Sequence, residues 1–328
     1  MACAGLQRGR RGFLLVDLLV SLFLGVLLSV ALVSSYLAFK RHYLHTQQLE
    51  RLQENGRHAL RLLTRELSMA GFYGGLVDTA ALAPRSVTGD CDGGPWALDA
   101  AAPLGLVNDH AGGAAPLGVD GTAYDCVDGT DVVAGTDLLA IKRSFAAPSV
   151  LRGVVDPALT AGDTPTWYLR LHAGAAADWR QHSASQLAGV AQPQDSYWQA
   201  SARVFFVRDH SNDPGAALPT LCMEALAGQG MRTQCLVEGV EDLQVTLGVD
   251  TNGDGRTDRY LAAPAGQDLA RAVSARVEVL LRALEPVPGH VDTGAYRLGG
   301  RVRQPARDAY PRRVYAASVR LHNLAGEP

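Results

Sequence analysis

Lysine is almost absent from this chain of 328 residues, because only Lys40 and Lys142 occur and arginine supplies nearly all of the positive charge. The formal net charge of -3 lacks the basic excess of nucleic-acid-binding domains, so we expect no nucleic-acid partner. Catalytic signatures are missing as well, since the sequence contains no G-x-S-x-G, H-E-x-x-H or P-loop pattern. The nine histidines are scattered. These absences predict a protein that is not an enzyme and that requires no cofactor.

The chain has five cysteines and no C-x-x-C pair, which disfavours zinc and thioredoxin-like sites. Cys3 lies in the basic N-terminal segment, so an even number remains in the rest of the chain. In an oxidising compartment an even number favours disulfides. Neighbours in sequence suggest the pairs Cys91–Cys126 and Cys222–Cys235, although four cysteines allow three pairings.

The longest apolar run begins at Phe13, ends at Phe39 and contains a single charged residue, Asp17. At a rise of 1.5 Å per residue it would form roughly 40 Å of helix, enough to cross a bilayer. A short basic segment that ends in Gly12 precedes it, and no A-x-A-like cleavage site follows it. An ordinary secretory signal peptide is therefore disfavoured. The natural cleavage point lies before the run, between Gly12 and Phe13.

This arrangement resembles the leader of type IV prepilins and of type II secretion pseudopilins. The resemblance implies that prepilin peptidase cuts after Gly12, that Phe13 becomes N-methylated, and that the acid at the fifth mature position serves assembly. The family normally has glutamate there, whereas this chain has Asp17. An acid costs about 2.5–3.5 kcal/mol at the centre of a membrane helix and less near its end, which makes Asp17 a functional candidate. The alternative is a plain single-pass anchor with an incidental aspartate.

The helical pattern continues beyond Phe39. No proline occurs before Pro84, and Gly71 supplies a stop signal. We therefore expect one helix from Phe13 to Ala70, roughly 87 Å long. Leucines recur at steps of three or four residues in its second half, an apolar stripe on which a domain can pack; they include Leu49, Leu52, Leu60, Leu63 and Leu67.

The segment Arg51–Gly75, RLQENGRHALRLLTRELSMAGFYGG, resembles the corresponding helix of the PilW family of minor pilins. This resemblance is strong in the leader and helix and looser in the C-terminal strands. It implies a leader at 1–12, a transmembrane and assembly half of the helix at 13–40, a periplasmic half at 41–71, and a globular β-rich periplasmic domain at 72–328. Gly56 lies inside this helix, as a softened turn or a tolerated residue.

Turn-rich and strand-like stretches follow the helix. Residues 76–130 are rich in Gly, Ala, Pro and Asp and read as a long insert or loop region, and 285–311 as a surface loop. Short strand-like stretches are Asp137–Arg143, Trp167–His172, Arg203–Arg208 and Leu236–Asp250. Strict alternation over 273–281 and 315–321 predicts two half-buried strands. We expect an α+β protein of type IV pilin-like fold, with the long N-terminal helix packed on a C-terminal antiparallel β-sheet.

One segment has the spacing of a calcium-binding loop. Oxygen-bearing residues occupy loop positions 1, 3, 5, 7 (through a carbonyl) and 9, with glycine at position 6; the residues are Asp250, Asn252, Asp254, Arg256 and Asp258. Leu261 replaces the usual glutamate at position 12, so affinity for calcium should be weak. The alternative is a polar hairpin turn between strands that end at Val249 and begin at Tyr260, since Asn-Gly and Asp-Gly favour turns.

The PilW resemblance implies a minor pilin that helps prime type IV pilus assembly at or near the fibre tip. Its partners would be prepilin peptidase, other minor pilins, the major pilin and a PilY-type tip adhesin. Before assembly it would be an inner-membrane single-pass protein with a periplasmic domain. The alternatives are a J-type pseudopilin of a type II secretion system and a single-pass anchored periplasmic binding or adhesion protein.

Overall fold

The computed structural model describes residues 15–76, 78–159, 162–213, 215 and 217–324. Helix α1 runs without a break from Leu15 to Ser68, a length of about 81 Å at the usual rise. It ends two residues before the predicted Ala70, and Gly71 then adopts a φ of 77°. The predicted leader and the predicted cleavage point between Gly12 and Phe13 lie outside the described residues.

The larger sheet has nine strands among the described residues. The strands are β1 (Leu104–Val107), β2 (Leu138–Ser144), β3 (Val150–Leu151), β4 (Val154–Val155), β5 (Thr166–His172), β6 (Asp178–His182), β7 (Asp195–Arg208), β8 (Thr220–Ala227) and β9 (Gly230–Glu238). Strand β7 is central, because it pairs with β2, β3, β5 and β8. A short helix, α2 (Ala184–Val190), precedes it.

The smaller sheet is antiparallel and carries the distal half of α1. Its strands are β10 (Val240–Val249), β11 (Arg259–Leu261), β12 (Ala272–Arg282) and β15 (Arg312–Arg320), in the order β11-β10-β12-β15. Helix α3 (Gly266–Leu269) precedes β12. The hairpin of β13 (Tyr296–Leu298) and β14 (Arg301–Arg303) lies within the 285–311 loop. The expected α+β arrangement, with a long helix on antiparallel sheets, is thus confirmed.

The structure corrects some of the predicted boundaries. The stretch Leu236–Asp250 is divided between β9 and β10 at Gly239, which has a φ of 85°. A Cβ at Gly239 would lie 2.7 Å from the Arg282 carbonyl oxygen. Strand β8 has no counterpart among the predicted strands. The 76–130 segment is mostly loop, as predicted, but it contains β1 and contributes buried side chains to the core, among them Trp96, Leu98 and Tyr124.

One stripe of α1 lies in the main hydrophobic core. Its buried residues recur at steps of four or seven residues and pack against inward-facing valines of β10 and β12. These helix residues are Leu52, Ala59, Leu63 and Leu67. Gly56 lies in the same stripe, under the ring of Tyr315 from β15. A Cβ at Gly56 would lie 2.6 Å from that ring. Close packing against this ring therefore favours glycine at this position.

A buried ion-pair cluster joins the end of α1 to the larger sheet. Glu66 accepts hydrogen bonds from Arg143 Nε at 2.9 Å and Nη2 at 2.8 Å, and a further one from Arg203. The side chains of Glu66 and Arg143 are 6% and 8% exposed, so both charges are largely removed from water. One carboxylate thus compensates two guanidinium groups, from β2 and β7.

A small sequence change tests the glycine contact. Gly56→Ala should lower the free energy of unfolding by about 1–2 kcal/mol, since overpacking outweighs the gain in helix propensity. Denaturation of the detergent-solubilised full chain, followed by circular dichroism, measures this difference. The matched control is Gly25→Ala, where the added Cβ has no contact within 4 Å beyond its chain neighbours and the backbone of its own helix. A Gly56→Ala protein at least as stable as the parent contradicts the packing argument.

The ion-pair cluster gives a second test. Glu66→Gln leaves the buried Arg143 and the half-buried Arg203 without a compensating charge, and loss of one partner of a buried pair costs about 3–5 kcal/mol. Glu54→Gln, an exposed change on the same helix, should alter stability by much less. Chemical denaturation of both variants measures the difference. Equal stabilities would show that the cluster contributes nothing specific.

Candidate functional site

The N-terminal half of α1 is the most exposed apolar surface of the described chain. Its large hydrophobic side chains from Leu15 to Phe39 are 46–75% exposed. By length and composition, α1 is the one helix among the described residues that could cross a membrane. Such a helix is consistent with a membrane anchor, because its exposed apolar side chains require lipid or another protein around them.

Asp17 lies in the first turn of α1, as described, and is exposed. The helix dipole favours a carboxylate at this end by about 0.3–1 kcal/mol. Asp17 forms no ion pair within the described parts of the chain. Phe13, the other half of the pairing that the family resemblance implies, lies outside those residues.

The candidate calcium loop connects β10 to β11, at the hairpin position that the sequence indicated. Asp250 accepts hydrogen bonds from the backbone N–H groups of Asn252 at 3.0 Å, Gly253 at 2.6 Å and Gly255 at 2.6 Å. Burial acts to raise the pKa of Asp250, but the N–H donors outweigh it and hold that pKa below its usual range. Asp250 therefore serves as the internal cap of the turn.

The other proposed ligands also bond within the loop. Asn252 accepts from the Asp254 N–H at 2.9 Å, and Asp254 accepts from the Arg256 N–H at 2.9 Å. Asp258 accepts from the N–H and hydroxyl groups of Thr251 at 2.7 and 2.6 Å. Across the described residues, no group of three or more His, Cys, Asp or Glu side chains is arranged to hold a metal ion. A polar hairpin turn accounts for these hydrogen bonds within the loop, and calcium binding stays a prediction.

Both disulfides join neighbours in sequence. Cys91 bonds to Cys126 and closes the insert, with a sequence separation of 35. Cys222 bonds to Cys235 across the β8–β9 hairpin, with a separation of 13. The four described cysteines thus clamp two segments of the larger-sheet region.

A second buried charge cluster, around Arg312, was missed at the sequence level. The side chain of Arg312 is 3% exposed and donates to Glu241 at 2.7 Å, to Asp308 at 2.7 Å and to Asp292 at 3.0 Å. These contacts tie the 285–311 loop to β10 and β15. Only Asp308 is close in sequence, so the pattern of residues gave no signal of the cluster.

Calcium binding can be tested directly on residues 43–328. Weak binding in the range of about 10⁻⁴–10⁻³ M would match extracellular calcium modules. Calorimetric titration should then show heat and a higher melting temperature in millimolar calcium, both lost in Asp254→Ala. If calcium produces neither effect on the parent domain, the loop is only a turn.

Comparison with known proteins points to the C-terminal part of the chain. The family model described as type IV pilus-assembly protein W matches residues 204–323. These residues run from the end of β7 through β15, whereas the resemblance noted from the sequence was stronger in the helix. No curated protein matches the chain significantly.

Solved structures include a similar chain, a type IV-like pilin from Thermus thermophilus. It is 12% identical, with a TM-score of 0.37, and the likeness covers 84% of this chain and 96% of that one. Over residues 204–323, the family match confirms that this chain resembles PilW, the type IV pilus-assembly protein W family.

Proposed function

We propose that this chain is a minor pilin that enters a type IV pilus through its N-terminal helix, primes fibre assembly and lies at or near the tip. One observation carries the proposal: the exposed apolar half of α1 continues without a break into a half held in a folded domain. Such a helix suits a subunit that leaves lipid for a fibre, because neighbouring helices can replace the lipid around Leu15–Phe39. The family match over residues 204–323 supports the pilus assignment.

The partners follow from this assignment. Prepilin peptidase would remove residues 1–12, and Phe13 would be methylated. The helix would then pack with other minor pilins and the major pilin, while the exposed domain would meet a PilY-type tip adhesin. The chain would begin as a single-pass inner-membrane protein with a periplasmic domain and end in the pilus fibre.

Two alternatives have distinct consequences. A J-type pseudopilin would share the leader and fold but act in a type II secretion system, and the match to a pilus-assembly family favours the pilus. A single-pass anchored binding or adhesion protein would keep its N-terminal segment and never leave the membrane.

Processing separates an assembly subunit from a plain anchor. Mass spectrometry of the protein from peptidase-containing cells should find a mature N-terminus at methylated Phe13. Gly12→Leu should block cleavage and leave the arginine-bearing leader attached. A normally shortened N-terminus in Gly12→Leu, or an uncut parent, contradicts the assignment.

Asp17 gives a functional test of assembly. An isolated carboxylate in an apolar environment is costly, so we expect it to pair with the free amine of Phe13 on an adjoining subunit. Asp17→Ala should insert into the membrane normally but enter fibres poorly, whereas Asp17→Glu should be tolerated. Quantification of the subunit in sheared pili and in membranes measures both effects. Equal incorporation of Asp17→Ala would argue against the pairing.

A further inference from the structure

A loop at the end of β12 runs beside α1 towards its apolar half. Gln48 Nε2 donates to Glu285 Oε2 at 3.3 Å, and three residues earlier on the helix the ring of His45 lies 6.3 Å from that of His290. As the loop advances from Glu285 to His290, its contact on α1 therefore moves from Gln48 to His45. This direction is towards Phe39, the end of the apolar run.

Apart from His290, the loop 286–291 that follows Glu285 has no ionisable side chain. Residues 286–291 read Pro-Val-Pro-Gly-His-Val and contain no carboxylate, arginine or lysine. Pro286, Pro288 and Gly289 are exposed, and Val291 is 62% exposed. Val287 is 4% exposed and anchors the loop in the domain, with its N–H bonded to the Ala309 carbonyl at 2.8 Å. The loop is therefore held in place while it presents proline and valine outwards.

The distance from the apolar run is short. His45 follows Phe39 by six residues, which is about 9 Å along a helix. The headgroup layer on each side of a bilayer is about 5–7 Å thick. Lys40 and Arg41 lie between the two positions, where basic side chains reach the interface. A helix whose apolar run ends at the hydrocarbon boundary therefore places His45 about 2–4 Å beyond the outer edge of the headgroup layer. Exposed side chains of the loop, which advances from His45 towards the membrane, can span a gap of this size.

We propose that the loop 286–291 contacts the lipid headgroups of the membrane while α1 spans it, a proposal that rests on the anchoring role of α1. The unbroken helix between Phe39 and His45 leaves no linker by which the domain could rise from the surface. Because the loop lies on one side of α1, the contact limits the tilt of the domain towards that side. Extraction of the subunit into a fibre would remove this contact.

Site-specific fluorescence in the full-length protein tests this proposal. Variants with one free cysteine, made in a Cys3→Ser background that keeps both disulfides, carry an environment-sensitive fluorophore. They are reconstituted into phosphatidylcholine–phosphatidylglycerol vesicles. Some vesicles contain a lipid with a nitroxide on its headgroup, which quenches nearby fluorophores. Val291→Cys should lose fluorescence in those vesicles.

Two further positions serve as references. Val154→Cys, 70% exposed in β4, is the matched control. Its neighbour Gly153 bonds to Asp195 at the start of β7, close to Trp198, whose ring packs on Phe72 after the C-terminal end of α1. Val154→Cys should keep its fluorescence. Phe39→Cys reports whether α1 enters the bilayer. Its fluorophore should be quenched by lipids that have a nitroxide on the headgroup or on the acyl chain.

The outcomes distinguish the headgroup contact of the loop from the anchoring role of α1. Quenching at Phe39→Cys and Val291→Cys but not at Val154→Cys supports the contact. Quenching at Phe39→Cys with Val291→Cys as bright as Val154→Cys overturns it and leaves the anchor intact. No quenching at Phe39→Cys overturns the anchoring role itself and the contact with it. Near-ultraviolet circular dichroism of each variant verifies the fold.

Discussion

The burial of one stripe of α1 against the smaller sheet is the contact on which the rest of the structure depends. Large apolar side chains such as Leu63 and Leu67 each gain about 1.5–3 kcal/mol from burial, and both are 0% exposed. The same helix has no such cover on its first half, from Leu15 to Phe39. The sheet therefore fixes where protein packing ends and where another environment must begin.

Buried charges then orient the parts that this apolar contact joins. Apolar packing is non-directional, whereas Glu66 with its two arginines specifies one position of the helix end over β2 and β7. Arg312 does the same for the 285–311 loop by gathering two carboxylates from that loop and one from β10. Removal of one partner from a buried pair costs more than the pair contributes. Both clusters thus favour a single arrangement strongly.

The features that could be predicted from sequence are those encoded by local periodicity. The three- and four-residue spacing gave α1, and strict alternation gave β12 and the last strand. The division at Gly239 was missed, because the cause is a close approach to the Arg282 carbonyl from a distant strand. The Arg312 cluster was missed for the same reason, since Glu241 is 71 residues away. The spacing typical of a calcium loop predicted the position of the turn between β10 and β11, while calcium binding by this turn stays a prediction.

The unbroken course of α1 between Phe39 and Leu52 has a geometric consequence for any assembly that uses this helix. An α-helix turns about 100° per residue, so the azimuth of the domain about the helix axis is determined by the number of residues in this stretch. One inserted residue would turn the domain by about 100° relative to Asp17 while moving it only about 1.5 Å. The number of residues between the two halves of the helix therefore determines the direction in which the exposed surface of the domain faces. The chemical type of those residues does not change it as long as the helix is unbroken.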